Sequence, residues 1–173
     1  ISVTGSLSPS ITSKDIILKI IGIIGTAGGT GYVIEYSGEA IRSLSMEGRM
    51  TICNMSIEGG ARAGLIAPDH KTFEYIKGRP YAPKHENWHK AVQYWETLSS
   101  DKGAIYDKEI EIKANTIEPQ VTWGTSPQDV VSINGKIPDP KNVKDLSRRN
   151  AIERSLEYMG LKPNQKIKEI EID

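Results

Sequence analysis

Asn54 and Glu58 are the two polar side chains whose types and spacing are best suited to chemistry. They stand four residues apart in a segment with helical spacing, so an amide and a carboxylate are offered to the same point in space. A carboxylate can accept or return a proton, and an amide can orient a substrate. Such pairs are also common on solvated helix faces, so spacing alone leaves both interpretations open.

Three other polar residue types are candidates for chemistry. His85 and His89 stand four apart, but no acidic or thiol partner completes a metal-binding H-E-x-x-H pattern, so we expect solvent-exposed histidines and no metal site. Cys53 lies on the apolar side of its predicted helix, where a free cysteine usually acts as a small hydrophobe. The arginines could be surface charges or carboxylate clamps, which spacing does not decide: Arg42, Arg49, Arg62 and Arg79.

The glycine-rich stretch 25–31 (G-T-A-G-G-T-G) could in principle cradle a phosphate, because glycines let backbone N–H groups approach an anion closely. It contains neither G-x-x-x-x-G-K-[ST] nor G-x-G-x-x-G, which are the patterns of nucleotide-binding loops. The stretch therefore favours a tight helix-to-strand connection.

The Asn54 and Glu58 pair must be positioned by a helix that begins after Ser45 and ends at Gly59-Gly60. The spacing i, i+3, i+7 predicts that this helix buries one apolar face, made of Met50, Cys53 and Ile57. A short apolar strand follows at 63–67 and is stopped by a proline.

The remaining segments alternate in the same manner. Thr12 and Asp15 form a capping box before an apolar helix over 16–24, and Trp88, Val92 and Trp95 mark a helix that docks through its aromatic side. Further strands are predicted at 1–4, 32–36 and 109–114. The predicted fold class is α/β, a layered sheet with packed helices.

The C-terminal third is less regular. Residues 118–127 are predicted to form a loop that ends in Ser126-Pro127, a pair typical of a helix start. A helix over 146–159, closed by Gly160, and a final strand in E-I-E-I-D are expected to lead into a further domain. The predicted division is a domain over 1–137, a linker over 138–145, and a helix and strand over 146–173.

The composition excludes several classes of function. The 22 basic and 22 acidic residues cancel, so a nucleic-acid partner is not expected. The apolar run 16–24 is about half of a membrane span and contains Lys19, so no membrane partner is expected either. A single cysteine excludes an intramolecular disulfide and any site built from several thiolates of this chain, and it is typical of a reduced, cytoplasmic protein.

The stretch 49–69 (R-M-T-I-C-N-M-S-I-E-G-G-A-R-A-G-L-I-A-P-D) resembles the large subunit of 3-isopropylmalate dehydratases, in the aconitase superfamily. Residues 28–46 fit the same pattern. Residues 119–127 (P-Q-V-T-W-G-T-S-P) and the linker from Ile137 to Pro140 fit this subunit better than they fit aconitase itself. The resemblance extends from Ile1 to Asp173.

The resemblance implies a hydro-lyase that converts 2-isopropylmalate to 3-isopropylmalate through an alkene in leucine biosynthesis. It also implies a separate small subunit, with which the large subunit forms a heterodimer, and a 4Fe–4S cluster held by three cysteines. The cysteine motifs S-C-T-N and C-x-x-C of the family are absent here. We therefore expect an internal part of the large subunit, inactive alone, with the cluster ligands beyond Asp173.

The same resemblance assigns roles to two residues. Glu58 matches a carboxylate that faces the open iron and its bound water, and Asn54 matches an amide beside the cluster, whereas Cys53 matches a position that is not a ligand. Two alternatives stay open: a non-catalytic binding or assembly module of the same fold, and a related homoaconitase or 2-alkylmalate dehydratase.

Overall fold

The computed structural model describes residues 1–172. Four short strands run parallel: β1 (Ser2–Thr4) pairs with β4 (Glu111–Lys113), and β2 (Val33–Glu35) pairs with β3 (Ala63–Leu65). A parallel bridge between Ser2 and Ser37 connects the two pairs, which gives the order β4, β1, β2, β3. Helices pack on these strands, and the predicted α/β class is confirmed.

The first helix, α1 (Ser13–Ile24), is the centre of the main hydrophobic core. Its predicted capping box is confirmed, because Thr12 accepts from the Asp15 N–H and the Asp15 carboxylate accepts from the Thr12 N–H. The core includes buried side chains from α1, from β1 and β4, from β2 and the residue after it, and from the next two helices: Val3, Ile16, Ile17, Ile20, Ile21, Ile34, Tyr36, Ile41, Ile52 and Ile112.

After β2 the chain forms α2 (Glu39–Ser43) and then α3 (Met46–Met55), which continues as a 3₁₀ turn over Ser56–Gly59. The predicted buried face of α3 is wrong. Met50 is 41% exposed and Ile57 is 66% exposed. The buried face consists instead of Arg49, Ile52 and Ser56, because a carboxylate from a later segment neutralises the arginine and the 3₁₀ turn rotates the residues that follow Met55.

Two helices lie between β3 and β4: α4 (His70–Ile76) and α5 (Glu86–Glu96). The prediction that α5 docks through its aromatic side is confirmed. The rings of Phe73 and Trp95 stack with centroids 6.0 Å apart, and Trp88 meets Trp95 edge-on at 5.8 Å.

A second hydrophobic cluster lies in the C-terminal third. The strands β5 (Gln120–Thr122) and β6 (Val130–Ser132) pair antiparallel, and α6 (Leu146–Met159) ends at Gly160 as predicted. The cluster comprises Trp123, Ile137, Ile152, Leu156 and Ile167. These side chains come from both sides of residues 138–145, and the division into domains there stays a prediction.

Three local predictions in this third are wrong. Residues 118–127 do not form one loop, because Gln120–Thr122 is the strand β5 and pairs with β6. Ser126-Pro127 starts no helix, because the chain returns there as the hairpin connection of β5 and β6, with the Asp129 N–H bonded to the Ser126 carbonyl at 2.8 Å. The final strand, predicted over 169–173, does not form in its described part: Glu169 ends a 3₁₀ turn over Ile167–Glu169, and residues 170–172 belong to no helix or strand. That turn lets Ile167 and Ile170 both pack into the second cluster, three residues apart; Asp173 lies outside the described residues.

Within residues 1–172 none of the helices has the length and apolar character that crossing a bilayer requires.

Candidate functional site

Asn54 and Glu58 both lie at the C-terminal end of α3, and both are exposed. The helix ends at Met55, so Asn54 belongs to its last turn and Glu58 to the 3₁₀ turn that follows. The continuous helical stacking predicted for the pair is therefore wrong, since a 3₁₀ turn has about three residues per turn.

The 3₁₀ turn is tied to the sheet through Ser56, which lies midway between Asn54 and Glu58. The Ser56 hydroxyl donates to the Ile52 carbonyl at 2.9 Å and lies 2.7 Å from the hydroxyl of Tyr36, which follows β2. Tyr36 and Ser56 are each 1% exposed. Burial raises the pKa of Tyr36 to about 12, so the phenol stays neutral at physiological pH.

The end of the turn is fixed by backbone contacts from the glycine-rich stretch. The Gly29 N–H donates to the Gly59 carbonyl at 2.8 Å. Gly60 has φ +86, and a Cβ there would lie 2.8 Å from the Thr26 carbonyl oxygen. The predicted role of 25–31 as a helix-to-strand connection is confirmed. This connection contacts the 3₁₀ turn that carries Glu58.

The buried Arg49 anchors the other end of α3. It is 3% exposed, and its two terminal nitrogens bind the two carboxylate oxygens of Asp69 at 2.8 and 2.7 Å. One of them also donates to the Arg42 carbonyl at 2.8 Å. Asp69 in turn caps α4 by accepting from the N–H groups of Lys71 and Thr72.

The ionisation of Asp69 depends on this contact. Partial burial alone would raise the pKa of Asp69, but the hydrogen bonds and charge of Arg49, together with the backbone N–H groups of Thr72 and Lys71, hold that pKa below its usual range. Arg49 is thus the carboxylate clamp among the arginines singled out from sequence. The others lie elsewhere: Arg42 and Arg62 are exposed, and Arg79 lies over the ring of Tyr75 at 4.0 Å.

The described residues do not provide ligands for a metal cluster. Cys53 is partly buried, and burial raises the pKa of its thiol, which disfavours the thiolate that binds metals. His85 and His89 are exposed. No group of three or more histidine, cysteine or acidic side chains converges within residues 1–172. The 4Fe–4S cluster implied by the resemblance therefore does not fit the ligands present in this chain.

A cavity of about 530 Å³ opens beside the strands, lined among others by Ile1, Glu35, Tyr106 and Glu111. Neither Asn54 nor Glu58 lines it. The two side chains therefore lie outside this cavity, in an exposed part of the chain.

A comparison with known protein families matches residues 1–173 to the Aconitase family (aconitate hydratase). The mixed fold of small sheets and packed helices is consistent with that match. Sequence reasoning misses the contacts that hold α3 and the following turn in place. Tyr36 contacts Ser56, and Arg49 contacts Asp69. The two residues of each contact are 20 positions apart in the chain, and no periodic pattern connects them.

Proposed function

Because the chain belongs to the aconitase family, we propose that it is part of a hydro-lyase that isomerises 2-isopropylmalate to 3-isopropylmalate in leucine biosynthesis. Family membership supports the hydro-lyase type of reaction. The resemblance of residues 49–69 and 119–127 to the dehydratase large subunit supports the choice of substrate. The observation that carries the proposal is the exposed amide of Asn54 and the exposed carboxylate of Glu58, with the buried Ser56 between them in the chain, its hydroxyl in contact with the hydroxyl of Tyr36.

In this reaction a hydroxyl leaves one carbon and a proton leaves its neighbour, which forms an alkene and water. Water then adds back with the two positions exchanged. We assign to Glu58 the transfer of a proton to and from the departing or returning water, and to Asn54 the orientation of the substrate through its amide. Both side chains are exposed.

Enzymes of the aconitase family generally bind a 4Fe–4S cluster, which supplies a Lewis acid for the substrate hydroxyl and carboxylate. The single cysteine of this chain cannot hold it, so we propose that its ligands come from outside these 173 residues. We also propose a small subunit as heterodimeric partner. The single cysteine supports a place in the reducing cytoplasm.

The test is iron and sulfide analysis combined with turnover of 2-isopropylmalate by the full-length protein mixed with its small subunit. The proposal predicts bound iron and sulfide and the formation of 3-isopropylmalate. Turnover of homocitrate-derived substrates alone would instead assign a homoaconitase-type enzyme. Bound cluster without any hydro-lyase activity, or no cluster at all, would favour a binding or assembly module and contradict the proposal.

A further inference from the structure

We propose that Tyr36 is a positioning residue for Glu58 and acts through Ser56. The hydroxyl of Tyr36 lies 2.7 Å from the Ser56 hydroxyl, and Ser56 begins the 3₁₀ turn that carries Glu58. The consequence for turnover rests on the function proposed above. The consequence for the conformation of the turn does not depend on it.

The geometry gives the hydroxyl of Ser56 one fixed place. Ser56 is 1% exposed and bonds at the same time to the Ile52 carbonyl within α3 and to Tyr36 beyond β2. Strand β3 passes close by at Gly64, where a Cβ would collide with the Ser56 hydroxyl and would lie 2.9 Å from the Cα of Cys53. The hydroxyl therefore sits between a helix and two strands, at the residue where α-helix changes to 3₁₀ turn.

The contact of Tyr36 with Ser56 is made at a residue that lies between Asn54 and Glu58 in the chain. Ser56 is two residues after Asn54 and two residues before Glu58, and both of those side chains are exposed. The turn itself must therefore set the direction of Glu58. Two of its backbone bonds are local, from the Gly60 N–H to the Ile57 carbonyl and from the Ala61 N–H to the Ser56 carbonyl. A third comes from the glycine-rich stretch, where the Gly29 N–H donates to the Gly59 carbonyl at the last residue of the turn. The Tyr36 hydroxyl adds a side-chain bond from the sheet to the first residue of the turn.

Stability alone does not require this pair of hydroxyls. Replacing both partners of a buried hydrogen bond by apolar groups of similar shape can be nearly neutral for folding. A general base or acid, by contrast, loses rate steeply when it is displaced, because proton transfer needs hydrogen-bond distance to the reacting atom. The contact is therefore expected to affect the rate constant more than the binding of substrate.

The experiment uses the full-length protein with its cluster and small subunit, and the variants Tyr36→Phe, Ser56→Ala and the double variant. The matched control is Thr51→Val, which removes a hydroxyl that bonds only within α3, to the Glu47 carbonyl. We measure kcat and KM for 2-isopropylmalate, and amide hydrogen exchange of the peptide covering residues 56–61.

The proposal predicts that each single variant lowers kcat about tenfold with little change in KM, and that the double variant is no slower than the singles. In these variants the amide hydrogens of residues 56–61 exchange faster than in the wild type, while those of α1 exchange at the wild-type rate. Thr51→Val keeps the wild-type kcat, KM and exchange rates. The proposal is overturned if Tyr36→Phe keeps the wild-type kcat, if the single effects multiply in the double variant, or if exchange over 56–61 is unchanged.

Two further outcomes are also decisive. If Tyr36→Phe does not fold, Ser56→Ala and its exchange over 56–61 decide the proposal by the same criteria. If the wild-type protein has no hydro-lyase activity, the proposed function fails. The exchange measurement alone then tests whether Tyr36 anchors the turn. Faster exchange of residues 56–61 in the variants supports this anchoring, and unchanged exchange refutes it.

Discussion

Replacement of Arg49 by methionine is the perturbation that tests the packing of α3 most sharply. Methionine keeps a long apolar side chain in the buried site, but it removes the two bonds to Asp69 and the bond to the Arg42 carbonyl. Breaking a fully buried ion pair costs about 3 to 5 kcal/mol. The side chain of Asp69 is 33% exposed and regains water, so we expect a smaller loss of about 2 to 3 kcal/mol.

The loss should depend on pH in a defined direction. Arg49 lowers the pKa of Asp69 in the folded protein, so the ion pair stabilises the fold above the unfolded pKa of about 4 and is lost as the pH falls through the folded value. The wild type loses this contribution in acid, and Arg49→Met never has it. The difference in unfolding free energy between the two proteins should therefore be largest at neutral pH and should shrink below about pH 4.

The assay is urea unfolding of wild type, Arg49→Met, Asp69→Asn and the double variant, from about pH 7 down to about pH 3, a range that begins above and ends below the unfolded pKa of the carboxylate. The side chain introduced by Asp69→Asn still caps α4, because asparagine is a good N-cap, so the cycle isolates the pair. Arg42→Met is the control, since the ion pair of Arg42 with Glu39 is exposed and should not measurably stabilise the fold. If the difference in unfolding free energy between wild type and Arg49→Met is constant over this pH range, the ion pair does not stabilise the fold. The loss of stability in Arg49→Met is then due to packing.

Two further predictions concern the supports of α1 and α3. Gly64→Ala should destabilise the fold by about 1 to 3 kcal/mol, because the added methyl meets the Ser56 hydroxyl and the α3 backbone. An unfolding midpoint equal to that of the wild type would contradict the close approach of β3 to α3. Thr12→Ala should lower the stability of the fold by about 1 kcal/mol, because it removes the capping box of α1, whereas Thr12→Ser should keep most of that stability. Equal losses of stability for both variants in thermal unfolding would contradict the cap.

The parts of the fold that sequence predicts well are those whose cause is local. The capping box of Thr12 and Asp15 lies within three residues, and Gly60 and Gly160 end their elements in the left-handed conformation that glycine adopts readily. The bounds predicted for α6 agree with the structure because its start and end both carry capping signals.

The parts that sequence predicts poorly depend on distant partners. Spacing leaves Arg49 open between a surface charge and a carboxylate clamp, and only Asp69, 20 residues later, makes its burial favourable. Ser126-Pro127 has the local chemistry of a helix start, but the residues after it pair with β5 as a hairpin. A tertiary contact overrides the local propensity at both places.

The candidate site divides in the same manner. The positions of Asn54 and Glu58 on an exposed element end can be predicted, because spacing and resemblance both refer to residues within one segment. The contact of Tyr36 with Ser56 cannot, since hydroxyl-bearing residues on a strand end and a helix end carry no periodic signal. The change from α-helix to 3₁₀ turn at Ser56 escapes prediction for the same reason.

The central claim, that Glu58 transfers a proton in a hydro-lyase reaction, is tested most directly by turnover of 2-isopropylmalate by Glu58→Gln in the intact, cluster-loaded enzyme. The matched control is Glu47→Gln, an exposed carboxylate in the first turn of α3, the helix that precedes the turn carrying Glu58. We predict a loss of turnover of about 100-fold or more for Glu58→Gln, with unchanged cluster absorbance and a near-normal rate for Glu47→Gln. Near-normal turnover by Glu58→Gln would contradict the claim.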